Sequence, residues 1–82
     1  MTKVVLYTRP GCHLCDEARA EILEMRSEGR HFELREVDIE RDERLHAEYL
    51  ERIPVVEVEG GVVSELNLDA DAVRARLDTV AA

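Results

Sequence analysis

The chain has 82 residues, 45% of them apolar and 37% charged, and its 19 acidic and 11 basic side chains give a formal charge of −8. That length sets a single domain, residues 1–82, small enough to bury only ~60% of the surface its unfolded form exposes. The acidic balance argues against nucleic acid and anionic membrane surfaces as partners, since both call for basic patches, and leaves solubility or steering towards a basic partner as its uses.

After Thr2-Lys3 the apolar run reaches only from Val4 to Tyr7. A signal-peptide core needs about 7–15 apolar residues and a membrane span about 20. The expected location is therefore cytoplasmic. That compartment keeps thiols reduced, so a cysteine pair there is expected to be catalytic or metal-binding and not structural.

Lys3 to Tyr7 is almost unbroken in β-branched and aromatic residues and predicts a strand buried on both faces. Arg9-Pro10-Gly11 breaks it. Leu14, Ala18, Ile22 and Met25 then fall on one face of a helix, and Gly29 is its expected stop. Phe32 to Ile39 predicts a second strand, although its alternation slips phase between Leu34 and Val37.

Asp42 is placed to cap a short helix carrying Leu45 and Tyr49, which Pro54 ends. Val55 to Val58 and Val62 to Leu66 flank Glu59-Gly60-Gly61, a hairpin signal. Asp69 caps a last helix, to Ala81, with Ala70, Val73, Leu77 and Val80 on one face. The order β-α-β-α-β-β-α predicts a right-handed βαβ unit followed by an antiparallel pair. Together these make an α/β fold with a four-stranded mixed sheet and helices on both faces.

Chemistry concentrates in Cys12-His13-Leu14-Cys15, which holds both cysteines of the chain. The pair reads as a redox couple, as half of a metal site, or as two core residues. Structural zinc needs four ligands. Here cysteine supplies two, and His31 and His46 lie too far apart in sequence for the usual pairing, so no metal site is expected.

The Pro-Gly turn before the pair and the helix after it form a redox setting. Cys12 falls at the strand-to-helix turn, beside unpaired N–H groups and the positive end of the helix dipole. Such cysteines can have pKa values lowered to ~3.5–7. Arg9 and His13 are candidates to assist that tuning. Cys15 lies one turn on and shares a helix face with Cys12. The asymmetry makes Cys12 the nucleophile and Cys15 the resolving thiol.

Arg52-Ile53-Pro54-Val55 opens the third strand. Together with the C-x-x-C motif and Leu6-Tyr7-Thr8-Arg9-Pro10-Gly11-Cys12, it resembles the thioredoxin superfamily, and within it a glutaredoxin or glutaredoxin-like protein. The resemblance covers nearly the whole chain. It implies a thioredoxin-like, glutaredoxin-type fold and a thiol–disulfide oxidoreductase acting on protein or small-molecule disulfides. It also implies a cis bond before Pro54, with Ile53 and Pro54 forming the substrate-binding edge.

The resemblance further implies a monomer that needs no cofactor beyond a reductant. The electron donor is then glutathione or a reductase of the kind that serves thioredoxin. Members that use glutathione carry a Gly-Gly pair and an acidic residue where this chain has Ser64-Glu65-Leu66-Asn67-Leu68-Asp69. Glu65 adds negative charge at that place, which counts against glutathione as reductant. The alternative function is a carrier of a [2Fe–2S] cluster, bridged between two protomers through the first cysteine and glutathione.

Overall fold

A computed structural model describes residues 1–81. Strand β1 (Lys3–Thr8) leads into helix α1 (His13–Ser27), and strand β2 (Glu33–Asp38) follows. A single 3-10 turn, Ile39–Arg41, joins β2 to helix α2 (Glu43–Tyr49). Strands β3 (Val55–Val58) and β4 (Gly61–Glu65) precede helix α3 (Ala70–Ala81).

The four strands lie in the order β2-β1-β3-β4. β1 is parallel to β2 and antiparallel to β3, and β3 is antiparallel to β4. This is the mixed sheet expected from the element order. The β3–β4 connection is a two-residue turn in which Glu59 and Gly60 have φ of 51° and 84°. Positive φ at both central residues gives the strands the twist a tight hairpin needs.

The termini of α1 explain its bounds. Cys12 is the N-cap, and the helix closes on Gly29, whose φ is +105°. The Gly29 N–H donates to the Arg26 carbonyl and the Arg30 N–H to the Met25 carbonyl. These two bonds satisfy carbonyls the helix leaves open, and the left-handed backbone they need suits glycine. Asp42 caps α2 through the N–H groups of Arg44 and Leu45. Asp69 caps α3 through Ala72.

The main core packs α1 and α3 on one sheet face. Val4, Leu6, Val56 and Val58 meet Ala18, Ile22 and Met25 of α1 and Val73 and Leu77 of α3. A second, smaller cluster lies on the other face under α2. Cys15, Ile39, Ile53 and Val55 form it, with Tyr7, Cys12, Leu45 and Tyr49 packed around them.

Three expectations need correction. β1 is not buried on both faces: Val4, Leu6 and Thr8 are buried, whereas Val5 and Tyr7 are half-buried. The seven-residue α2 buries none of its own residues and covers only one end of that face. Leu14 is exposed, and Cys15 takes the inner position of the first turn of α1. A stripe through Cys15, Ala18, Ile22 and Met25 tracks the helical period as well as one through Leu14 does, so periodicity alone did not choose between them. Val80, expected on the buried face with Val73 and Leu77, is exposed. No helix among the described residues is long and apolar enough to cross a membrane.

Candidate active site

The candidate site is built at the pole where β1 ends, α1 begins and β3 starts. Thr8 closes β1, and Gly11 takes a φ of +77°, a left-handed turn that an L side chain would strain. The Cys12 N–H donates to the Arg9 carbonyl, closing the turn. The chain then enters α1 with Cys12 in an extended conformation.

Cys12 and Cys15 are joined in a disulfide with Cα atoms 5.2 Å apart. Their surroundings differ. Cys15 is fully buried within the second cluster, whereas Cys12 is only partly buried at the helix start. The Cys15 N–H donates to Cys12 Sγ at 3.2 Å. Cys12 thus serves as N-cap, and its sulfur takes up one of the donors that every helix start leaves unpaired.

Ile53 and Pro54 are both buried, and their peptide bond is cis. Ile53 packs with Cys15 and Val55 in the cluster that Cys12 also touches. The fold therefore brings the C-x-x-C pair and the Ile53-Pro54 segment together, although about forty residues separate them in the chain. The Ile53 N–H donates to the Tyr49 carbonyl at 3.0 Å. It is committed to α2, and Pro54 has no N–H, so this segment has no free backbone donor.

Arg9 and His13 are placed beside the pair but not on it. The Arg9 guanidinium faces Glu40 at 3.9 Å. His13 is exposed in the first turn of α1. Among the described residues neither side chain hydrogen-bonds a cysteine.

Sequence reasoning missed two arrangements. In one, the Tyr7 and Tyr49 rings lie 4.7 Å apart, tilted by 34°, against the cluster that holds Cys15. The Tyr7 hydroxyl donates to Glu57 at 3.2 Å. Burial, reinforced by the Glu57 charge and its hydrogen bond, pushes the Tyr7 phenol up to about 12. Burial also pushes the Tyr49 phenol up. Tyr7 and Glu57 lie on adjacent strands with Val55 opposite Tyr7. Only the strand register could have revealed that diagonal.

The second arrangement centres on Arg52. Its guanidinium donates to Glu65 and, at 2.9 Å, to Glu48, and it lies 4.9 Å over the Tyr49 ring. The i, i+4 spacing of Glu48 and Arg52 was visible in the sequence. The partnership with Glu65 was not.

The pattern of the glutaredoxin-like domain family (DUF836) matches residues 3–78. A protein of Nitrosomonas europaea, solved by NMR in solution, is 35% identical and superposes with a TM-score of 0.77 over 92% of this chain and 89% of its own. An X. campestris protein solved by X-ray diffraction is 33% identical, with a TM-score of 0.75 over 93% and 96% of the two chains. Oxidised mitochondrial thioredoxin 3 from Saccharomyces cerevisiae is 11% identical, with a TM-score of 0.68 over 95% of this chain and 77% of its own, a likeness of fold alone. Among curated proteins, none matches.

Proposed function

Since the chain belongs to the glutaredoxin-like domain family, we propose that it is a thiol–disulfide oxidoreductase, with Cys12 as nucleophile and Cys15 as resolving thiol. The observation that carries the reading is the unequal disulfide at the start of α1. Cys12 is only partly buried and accepts the Cys15 N–H, while Cys15 is fully buried. A helix N-terminus favours the thiolate over the thiol, and the thiolate is the attacking species.

The reaction starts from the dithiol. The Cys12 thiolate attacks one sulfur of a substrate disulfide. The substrate S–S bond breaks, a mixed disulfide to Cys12 forms, and the released sulfur takes a proton from solvent. Cys15 then gives up its proton and attacks Cys12 Sγ. The mixed disulfide breaks, the intramolecular disulfide forms, and the second substrate thiol leaves. Two electrons have passed from the protein to the substrate. The disulfide in the structure corresponds to the product of this half-cycle. Its return to the dithiol takes two electrons from an external thiol or a reductase, and no resident cofactor enters.

Ile53 and Pro54 serve as the edge on which the substrate lies. A substrate N–H aimed at the Ile53 carbonyl would align an extended segment beside Cys12, in the manner of an added strand.

Trapping tests the assignment. Reduced Cys15→Ser protein, mixed with a disulfide substrate, should accumulate a mixed disulfide through Cys12, visible by mass spectrometry. If Cys12→Ser is the variant that accumulates an adduct, the two roles are exchanged.

A further inference from the structure

β1 and β2 are parallel and end side by side, with Thr8 opposite Asp38. Outside those carboxyl ends lies an open cavity of about 200 Å³, lined by Thr8, Gly11, Asp16 and Asp38 together with Arg9 and Arg19. Open α/β sheets commonly take ligands at such a place. A water's share of liquid volume is about 30 Å³, so a small organic group has room there. Thr8 alternates with Tyr7 along β1, so its side chain points away from the face that carries Tyr7, Ile53 and Val55.

Thr8 marks this cavity as a site. The residue is 8% exposed, and among the described residues nothing hydrogen-bonds its hydroxyl. Burying a hydroxyl without a partner costs free energy. The oxygen is not sealed off, since no side-chain oxygen or nitrogen among the described residues is both inaccessible and unpaired. Its opening is the cavity it lines.

The charges around it favour a cation. Arg19 is held by Glu36 and Asp16, at 2.6 and 3.3 Å, and Arg9 faces Glu40 at 3.9 Å. An anion therefore finds both guanidinium groups already facing carboxylates. Asp38 is the carboxylate left over. One of its oxygens accepts the Glu40 N–H, and the other lies 3.7 Å from Arg41, whose side chain is 87% exposed. An exposed pair of that kind is weak. Asp16 binds Arg19 through one oxygen and has the other free among the described residues. The start of α1 disfavours a cation, but Asp16 lies in its first turn and offsets that field. Among the described residues no three His, Cys, Asp or Glu side chains converge as metal ligands, which leaves an organic cation.

We propose that this cavity binds a primary ammonium group, from a lysine side chain or a free alkylamine, with the Thr8 hydroxyl, Asp38 and Asp16 as its acceptors. An ammonium carries three N–H donors in a compact head, one for each of these groups. The buried hydroxyl is retained, at a cost in stability, because the ligand supplies its missing partner. The site lies on the opposite side of β1 from Ile53, and it stands whether or not the cysteine pair turns over disulfides.

The experiment uses the oxidised protein, labelled with nitrogen-15 and titrated at constant ionic strength while its amide resonances are followed. Four probes are compared: butylammonium, a tripeptide with a central lysine and blocked ends, tetramethylammonium, and butyrate. The amides of Thr8, Gly11 and Asp16 should shift and saturate with butylammonium. Binding should be roughly tenfold weaker for tetramethylammonium, which has the charge but no N–H donor. A lysine peptide that binds at least as tightly as butylammonium assigns the group to a polypeptide, and a response to butylammonium alone assigns it to a free amine. Thr8→Val removes the unpartnered hydroxyl, so its melting temperature should not fall, yet butylammonium affinity should drop roughly tenfold. Asp38→Asn keeps an acceptor for the Glu40 N–H and should weaken binding by a similar factor. Asp71→Asn, at a fully exposed side chain on α3, should leave it unchanged. Shifts that do not saturate, equal affinity for tetramethylammonium, or binding that survives both site variants would overturn the proposal. Tighter binding of butyrate would overturn it too, since Arg9 and Arg19 would then govern the cavity.

Discussion

The Tyr49 ring lies against the Tyr7 ring, 4.7 Å between centroids, and the Tyr7 hydroxyl donates to Glu57. Burial and the neighbouring carboxylate both oppose a phenolate here, and the Tyr7 phenol is pushed from 10.0 up to about 12. Between those values an unfolded tyrosine has lost its proton while the folded one keeps it. The unfolded state then binds fewer protons, so stability falls as pH rises. The contribution is fully present below pH 10 and is lost progressively through about pH 12. Urea unfolding at a series of alkaline pH values should show this slope. Tyr7→Phe should flatten it, and an unchanged slope in that variant would remove Tyr7 as its source.

The strands and helices were legible because each follows a local rule. Gly29 stops α1, Asp42 and Asp69 cap α2 and α3, and Glu59-Gly60 turns the hairpin. The cysteine pair was legible because its chemistry depends on a spacing of three within one helix turn. Facing was less so: Leu14 and Cys15 are adjacent, and only the packing of α1 on the sheet decides which one turns inward.

Contacts across the sheet were not legible at all. Tyr7 meets Glu57, and Arg52 meets Glu65, only because the β1–β3 and β3–β4 registers bring them together. The β4 register also shifts at Val56/Glu57. A bulge of this kind adds one residue to one strand, here Val63, and because Val62 and Val63 are both apolar the sequence does not mark where the alternation slips.

The main core supplies a second prediction. Ile22 is fully buried between the sheet and α3. Ile22→Ala removes three carbons from a packed interior and leaves a cavity, a change that costs about 2–5 kcal/mol. A domain of this size has a total stability at the low end of the ~5–15 kcal/mol range. The variant should therefore unfold at a much lower urea concentration, with the slope of the transition preserved. A loss under about 1 kcal/mol would mean that the α1–sheet packing closes around the gap.

The last prediction concerns the electron donor. Glutathione carries two carboxylates and one amine, and its recognition calls for cations or N–H groups for the first and an acid for the second. Glu65 was expected to repel it as a bare charge. The structure weakens that argument, because Glu65 is ion-paired to Arg52 and the two are about 40% exposed. The obstacle becomes one of occupancy: the cation nearest the Ile53-Pro54 edge already holds Glu65 and Glu48. Exposed pairs of this type are weak, so the penalty is a few-fold, not a block. We predict that the oxidised protein is reduced more slowly by glutathione than by a reductase of the kind that serves thioredoxin. Glu65→Gln should release part of Arg52 and speed the glutathione reaction roughly threefold, with the gain shrinking at high salt. Rates measured side by side on the wild type and this variant decide the matter. A faster glutathione reaction in the wild type, or no gain in the variant, would mean that Arg52 and Glu65 do not govern the choice of donor.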